Sequence, residues 1–138
     1  MIKMKPDKKR HFVITAQPYK QDILVCINLT KHEAFKVYKR LNKNATKQDE
    51  EYVTGESNKD TDSGITGTMY PMSCGYLITL KSYKDSFRKN ILNALHEITH
   101  AVHYILRHIR IPLEENTEEA YTYLLEDLYS QYLFKLYK

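Results

Sequence analysis

From Phe87 to Ile109 the residues Phe87, Ile91, Leu95, Ile98, Val102, Ile105 and Ile109 advance by three or four positions and draw one apolar stripe. The stripe predicts a helix of about six turns, opening near Asp85 or Ser86 and ended by Pro112. A helix that long with one apolar face must be covered along its length, and the sequence holds two kinds of cover. Downstream, Asn116 or Thr117 is placed to cap a last helix whose stripe is Tyr121, Leu124, Leu125, Leu128 and Tyr132. Upstream, residues 11–17 and 23–29 are β-branched and apolar runs on either side of Pro18-Tyr19-Lys20-Gln21-Asp22, the pattern of a hairpin. The second run is almost continuously apolar, as expected of a central strand buried on both faces. Thr30 with Glu33 three residues later has the capping-box spacing, and predicts a helix to about Asn42 carrying Ala34, Phe35, Tyr38 and Leu41. Residues 67–70 and 75–80 read as a second hairpin around Pro71-Met72-Ser73-Cys74. The fold class is therefore α+β: a short sheet with two long helices after it.

The remaining stretch, 43–64, is polar and reads as a loop of unusual length for a compact domain. With 138 residues, 42% hydrophobic and 28% charged, the chain suits one folded domain over 11–138 behind a basic arm, 1–10. That arm holds Lys3, Lys5, Lys8, Lys9 and Arg10, and acidic groups gather later at Glu114, Glu115, Glu118 and Glu119. The net charge of +4 is modest, and no aromatic residues alternate with the lysines as a stacking platform requires. A solvated arm is expected, and nucleic acid is not the expected partner. No run approaches the roughly 18 apolar residues of a membrane span, and the opening residues lack the apolar core of a signal peptide. No membrane association is expected, and the cytoplasm is the expected location. Cys26 and Cys74 lack metal-site spacing and are expected to be reduced, partly buried thiols.

The chemistry is concentrated in His96-Glu97-Ile98-Thr99-His100. Residues four apart on a helix stand one turn above one another, so both imidazoles can address one cation. Neutral imidazole binds zinc at roughly 2.0 to 2.1 Å. Glu97 is offset round the helix from both, placed to act as a base beside them rather than as a ligand. His103 lies roughly 10 Å along the axis from His96 and is poorly placed to share the ion.

The segment NALHEITHAVHYIL resembles the active-site helix of the zincin metallopeptidases, and NTEEAYTYLLEDL resembles the glutamate helix of their gluzincin branch. HEITHAVHYIL followed by EEAYTYL is similar to small zinc peptidases of bacteriophages and prophages, a likeness covering about the C-terminal half. The metzincin pattern is excluded, because His103 and Leu106 stand where it needs glycine and histidine. The resemblance implies a small zincin-like domain in which Zn2+ is held by His96, His100 and a glutamate of the last helix. Aligning Thr122-Tyr123-Leu124 with the family's A-Y-L segment makes that glutamate Glu119. The helical wheel puts Glu118 nearer the apolar stripe, so Glu118 is the alternative.

It further implies Glu97 as general base and hydrolysis of a peptide or protein substrate by a metal-activated water. Tyr121, Tyr123 and His103 are the candidates for a second donor to the developing oxyanion. By the same likeness, strand 75–80 is either the edge along which substrate pairs, with Cys74-Gly75-Tyr76-Leu77 lining the cleft, or an ordinary core strand. A phage-encoded protein of this kind would act in the host cytoplasm or travel in the virion. The alternative function is a non-catalytic zinc-binding phage protein, a virion component or host-protein-binding factor keeping a zincin fold. Retention of Glu97 favours the hydrolase, and the small size, which leaves little chain for specificity pockets, favours the alternative.

Overall fold

The apolar second run becomes the strand on which both layers of the domain are built. In the computed structural model, which describes residues 8–55, 67–83 and 86–137, β1 (Arg10–Ala16) and β2 (Gln21–Ile27) pair as an antiparallel hairpin. β3 (Gly67–Met72) and β4 (Gly75–Leu80) form a second hairpin, and β4 lies parallel to β2. The strand order is β1-β2-β4-β3. Successive β2 side chains go to opposite faces. Leu24 and Cys26 join a core with Leu77, Tyr70 and the helix α1 (Lys31–Leu41); Ile23, Val25 and Ile27 join a core with Ile78, Leu80 and two long helices. Those are α3 (Phe87–His108) and α4 (Glu118–Leu136). The molecule is an α+β domain with helices on both faces of a mixed sheet. No helix among the described residues is long and apolar enough to cross a membrane.

Local signals explain most boundaries. The Thr30 hydroxyl accepts from the Glu33 amide at 3.1 Å, and the Glu33 carboxylate accepts from the Thr30 amide at 3.0 Å, a complete capping box for α1. Ser86 caps α3 by accepting from the Lys89 amide at 3.1 Å. Thr117 precedes α4 but makes no cap bond; its hydroxyl instead donates to the Pro112 carbonyl and accepts from the Glu114 amide, tightening the acidic link. The stripe of α3 is buried through its middle at Ala94, Ile98, Ala101, Val102, Ile105 and Leu106, while its two ends, Phe87 and Ile109, are exposed.

Three expectations need correction. The polar stretch 43–64 contains a helix, α2 (Lys47–Thr54), and positions 56–64 of that stretch lie outside the described residues. It forms because Thr46 and Asp49 make a second capping box and because Val53 is fully buried under α1 and the sheet. Asp49 also accepts from the Ser73 amide at 3.1 Å and from the Ser73 hydroxyl, fastening α2 to the β3–β4 turn. Secondly, of the two readings of strand 75–80 the edge is the one that fails: β2 and β3 flank β4, which is a core strand, and the outer strands are β1 and β3. The segment Cys74 to Leu77 therefore has no free backbone edge to offer a substrate. Thirdly, the two thiols differ: Cys26 is fully buried, its pKa pushed up to about 12 by burial, while Cys74 is exposed.

α4 is fastened to β1 at two places, Thr15 and Arg10. The Thr15 amide donates to Gln131 Oε1 at 2.9 Å and Gln131 Nε2 donates to the Thr15 carbonyl at 2.8 Å, so one side chain stands in for a neighbouring strand. At the other end of β1 the Arg10 guanidinium donates to the carbonyls of Leu136 at 2.6 Å and Lys135 at 2.8 Å. Of the arm, Lys9 is paired with Glu33 at 2.8 Å, and Lys3 and Lys5 lie outside the described residues.

Candidate metal centre

Burial of the α3 stripe against the sheet turns His96 and His100 outward, one turn apart and exposed. Their Nε2 atoms approach to 3.1 Å, with the rings nearly perpendicular at an interplanar angle of 81°. Two nitrogens bound to one tetrahedral zinc ion sit about 3.3 Å apart, given bond lengths of about 2.05 Å. The two donors thus already converge to within a few tenths of an ångström of what one ion needs. A carboxylate oxygen of Glu97 completes a group of donor atoms that all lie within 4.8 Å of one another.

Glu97 is turned differently. It is only 8% exposed and lies on the sheet side of α3, beside the outer strand β3. Burial raises its pKa; the neighbouring His96 and His100 and a hydrogen bond from the Met69 backbone pull the other way without cancelling the effect. The carboxyl is therefore easier to protonate than a surface glutamate, the property a proton acceptor and donor requires. Room for it comes from Gly67, the first residue of β3. A Cβ built there would lie 3.1 Å from Glu97 Cγ, 3.3 Å from Glu97 Oε2 and 3.0 Å from Leu80 Cδ2. Gly67 was not singled out in the sequence. Its only signal was its position at the head of the strand that precedes the motif helix.

The other expected residues lie along α4. His103, one turn beyond His100, packs its ring against Tyr121 with centroids 5.0 Å apart, so the start of α4 runs beside the C-terminal half of α3. The Tyr121 hydroxyl donates to the Ile111 carbonyl at 2.6 Å and is engaged there. Tyr123 is 66% exposed, about 200° round the helix from Tyr121. Glu118 and Glu119 are both exposed in the first turn of α4, and neither belongs to the converging donor group among the described residues. Glu118 stands about 60° from Tyr121 on the helical wheel and Glu119 about 160°, which puts Glu118 nearer the α3 side.

Comparison with protein-family models, with curated proteins and with solved structures finds no match. The chemistry of this centre follows from its own geometry. Two imidazole donors at zinc spacing, a buried carboxyl beside them and a glycine-lined recess for that carboxyl fit a borderline-soft divalent cation such as zinc.

Proposed function

We propose that this chain is a zinc-dependent hydrolase of peptide bonds, with His96 and His100 as metal ligands and Glu97 as general base. The observation that carries the reading is the 3.1 Å approach of the two imidazole nitrogens on the open face of α3, with the Glu97 carboxyl recessed behind them. A zinc ion held there would supply Lewis acidity to a water and to a substrate carbonyl. Glu97 takes a proton at its carboxylate and later returns it to the leaving amine, a cycle that its raised pKa favours. The absence of a side chain at Gly67 leaves the room that carboxylate takes beside β3. The third ligand of this reading is a carboxylate from the first turn of α4, Glu119 by the family pattern or Glu118 by the helical wheel. The outer strand near the centre is β3, so a substrate that pairs with the sheet beside α3 does so there.

A second reading is favoured by one observation: the Glu97 oxygen belongs to the same 4.8 Å donor group as the two histidines. If Glu97 is itself a ligand, no base is left, and the site organises a non-catalytic binding protein. One experiment separates the two. Glu97→Gln keeps an equivalent of zinc and abolishes hydrolysis of a peptide library if Glu97 is the base. Zinc loss measured by mass spectrometry in that variant assigns Glu97 to the metal and removes the hydrolase.

A further inference from the structure

On the face of the sheet opposite α3, between β1 and α1, runs a groove of about 930 Å3. Lys9, His11, His32, Lys36, Lys39 and Arg40 line it, over a floor that includes Leu29 and Phe35. It holds two carboxylates, Glu33 and Glu50, and Glu33 is already spent on Lys9 and on the Thr30 amide. Lys36, Lys39 and Arg40 are exposed and take part in no ion pair among the described residues. Cations held together on one helix with no ion pair among the described residues repel one another, and an anionic partner relieves that repulsion.

The strand beside the groove is an edge. Thr15 presents both its amide and its carbonyl outward, where Gln131 takes them. In an antiparallel ladder outward groups recur at every second residue, so His11 and Val13 present theirs on the same side. Among the described residues no hydrogen bond reaches these groups, although Gln131 has closed the edge one step further on. The His11 side chain also lines the groove, so the open backbone and the basic wall belong to one surface.

We propose that this surface docks an acidic, extended peptide segment, which pairs with β1 at His11 and Val13, between the two places where α4 is fastened to that strand, and lays alternate carboxylates against α1. Main-chain pairing at His11 and Val13 supplies the register, and the basic wall selects the charge. A peptide fits better than a nucleic acid. The backbone groups that no bond reaches among the described residues are paired amides and carbonyls at strand spacing, and Phe35, at 5% exposure, offers no open ring for a base to stack on.

The test uses the full chain and a fluorescein-labelled eight-residue peptide alternating glutamate and valine, followed by fluorescence anisotropy. Wild type is expected to bind, more weakly as salt is raised. The charge-reversed variant K36E/K39E/R40E is expected to lose about 10-fold or more in affinity, the sum of three exposed contacts, with zinc content unchanged. His11→Pro removes the outward donor without touching the β1–β2 ladder, and is expected to weaken binding by about 10-fold, the worth of one backbone hydrogen bond. Hydrogen exchange on wild type gives the same answer without a substitution: the peptide should slow exchange at the His11 and Val13 amides. Absence of binding, unchanged exchange at both amides, or displacement of the peptide by an oligothymidylate of equal charge at lower concentration would each overturn the proposal.

Discussion

Replacing Gly67 by alanine and then by valine sets two effects against each other. At an open strand position both substitutions stabilise, because the unfolded chain loses conformational freedom and because valine suits a strand; the gains are about 0.5 to 1 kcal/mol at each step. At Gly67 a Cβ would meet Leu80 Cδ2 at 3.0 Å, Glu97 Cγ at 3.1 Å and Glu97 Oε2 at 3.3 Å. Carbon atoms prefer about 3.5 to 4.0 Å. Two side chains, Leu80 and Glu97, must therefore yield together, and overpacking of this kind costs about 1 to 3 kcal/mol. The net expectation is a loss of about 1 kcal/mol for Gly67→Ala and about 2 kcal/mol for Gly67→Val. In a domain of this size each kcal/mol lowers the melting temperature by about 4 °C. The carboxyl moves with the strain, so peptide hydrolysis should fall by about 10-fold in Gly67→Ala, since a displacement of about 1 Å can cost 100-fold. Zinc content should not change, because His96 and His100 face the other way. Scanning calorimetry, zinc analysis and turnover on the same three proteins make the comparison. If melting temperature rises in the order Gly, Ala, Val, the recess does not hold Glu97 and the reasoning fails.

Other expectations are simpler to state. His96→Ala and His100→Ala should each release zinc, and unchanged metal content in both variants would refute the shared site. Glu119→Ala should lower zinc affinity by about 10-fold or more and Glu118→Ala by less, measured against a chelating dye at one pH; the reverse order would give the ligand role to Glu118. Asp49 is affected by burial, which raises its pKa, but hydrogen bonds from Ser73 and Thr46 hold it lower on balance. A carboxyl with a lowered folded pKa contributes stability above its unfolded pKa and loses it as pH falls through the folded one. Asp49→Asn should therefore cost about 1 to 2 kcal/mol near neutrality, and the gap to wild type should close as pH falls below about 4; a gap that does not vary with pH would refute the role of the charge.

The extent to which the structure was legible in advance follows from how far each signal reaches along the chain. Helix α3, the Thr30 cap, the buried strand β2 and the two histidines are written in residues at most a few positions apart, and periodicity or spacing finds them. Helix α2 escaped because KQDEEYVT buries only Asp49 and Val53, too little for a stripe, although the Thr46 to Asp49 spacing was itself a cap signal. Whether β4 lay inside the sheet or at its edge stayed open because strand order depends on a parallel pairing between residues about 50 positions apart, such as Ile23 with Tyr76. Such pairings leave no mark in local pattern. In the centre, His96, Glu97 and His100 were legible as a spacing. Gly67 and the Met69 amide were not, since they act on Glu97 only through the folded position of β3.

The clasp between β1 and α4 bears on how the molecule comes apart. Bonds from Thr15 to Gln131 and from Arg10 to Leu136 join residues 116 and 126 positions apart. Elements near the ends of a described chain are ordinarily where opening begins, each fraying by itself. Here the first strand and the last helix are each other's support, so neither can leave without exposing the other's polar groups. Closing so long a loop is slow to achieve and adds to contact order. In return, the histidine-bearing helix lies in sequence between two elements that release only together, which places its loss late in any unravelling.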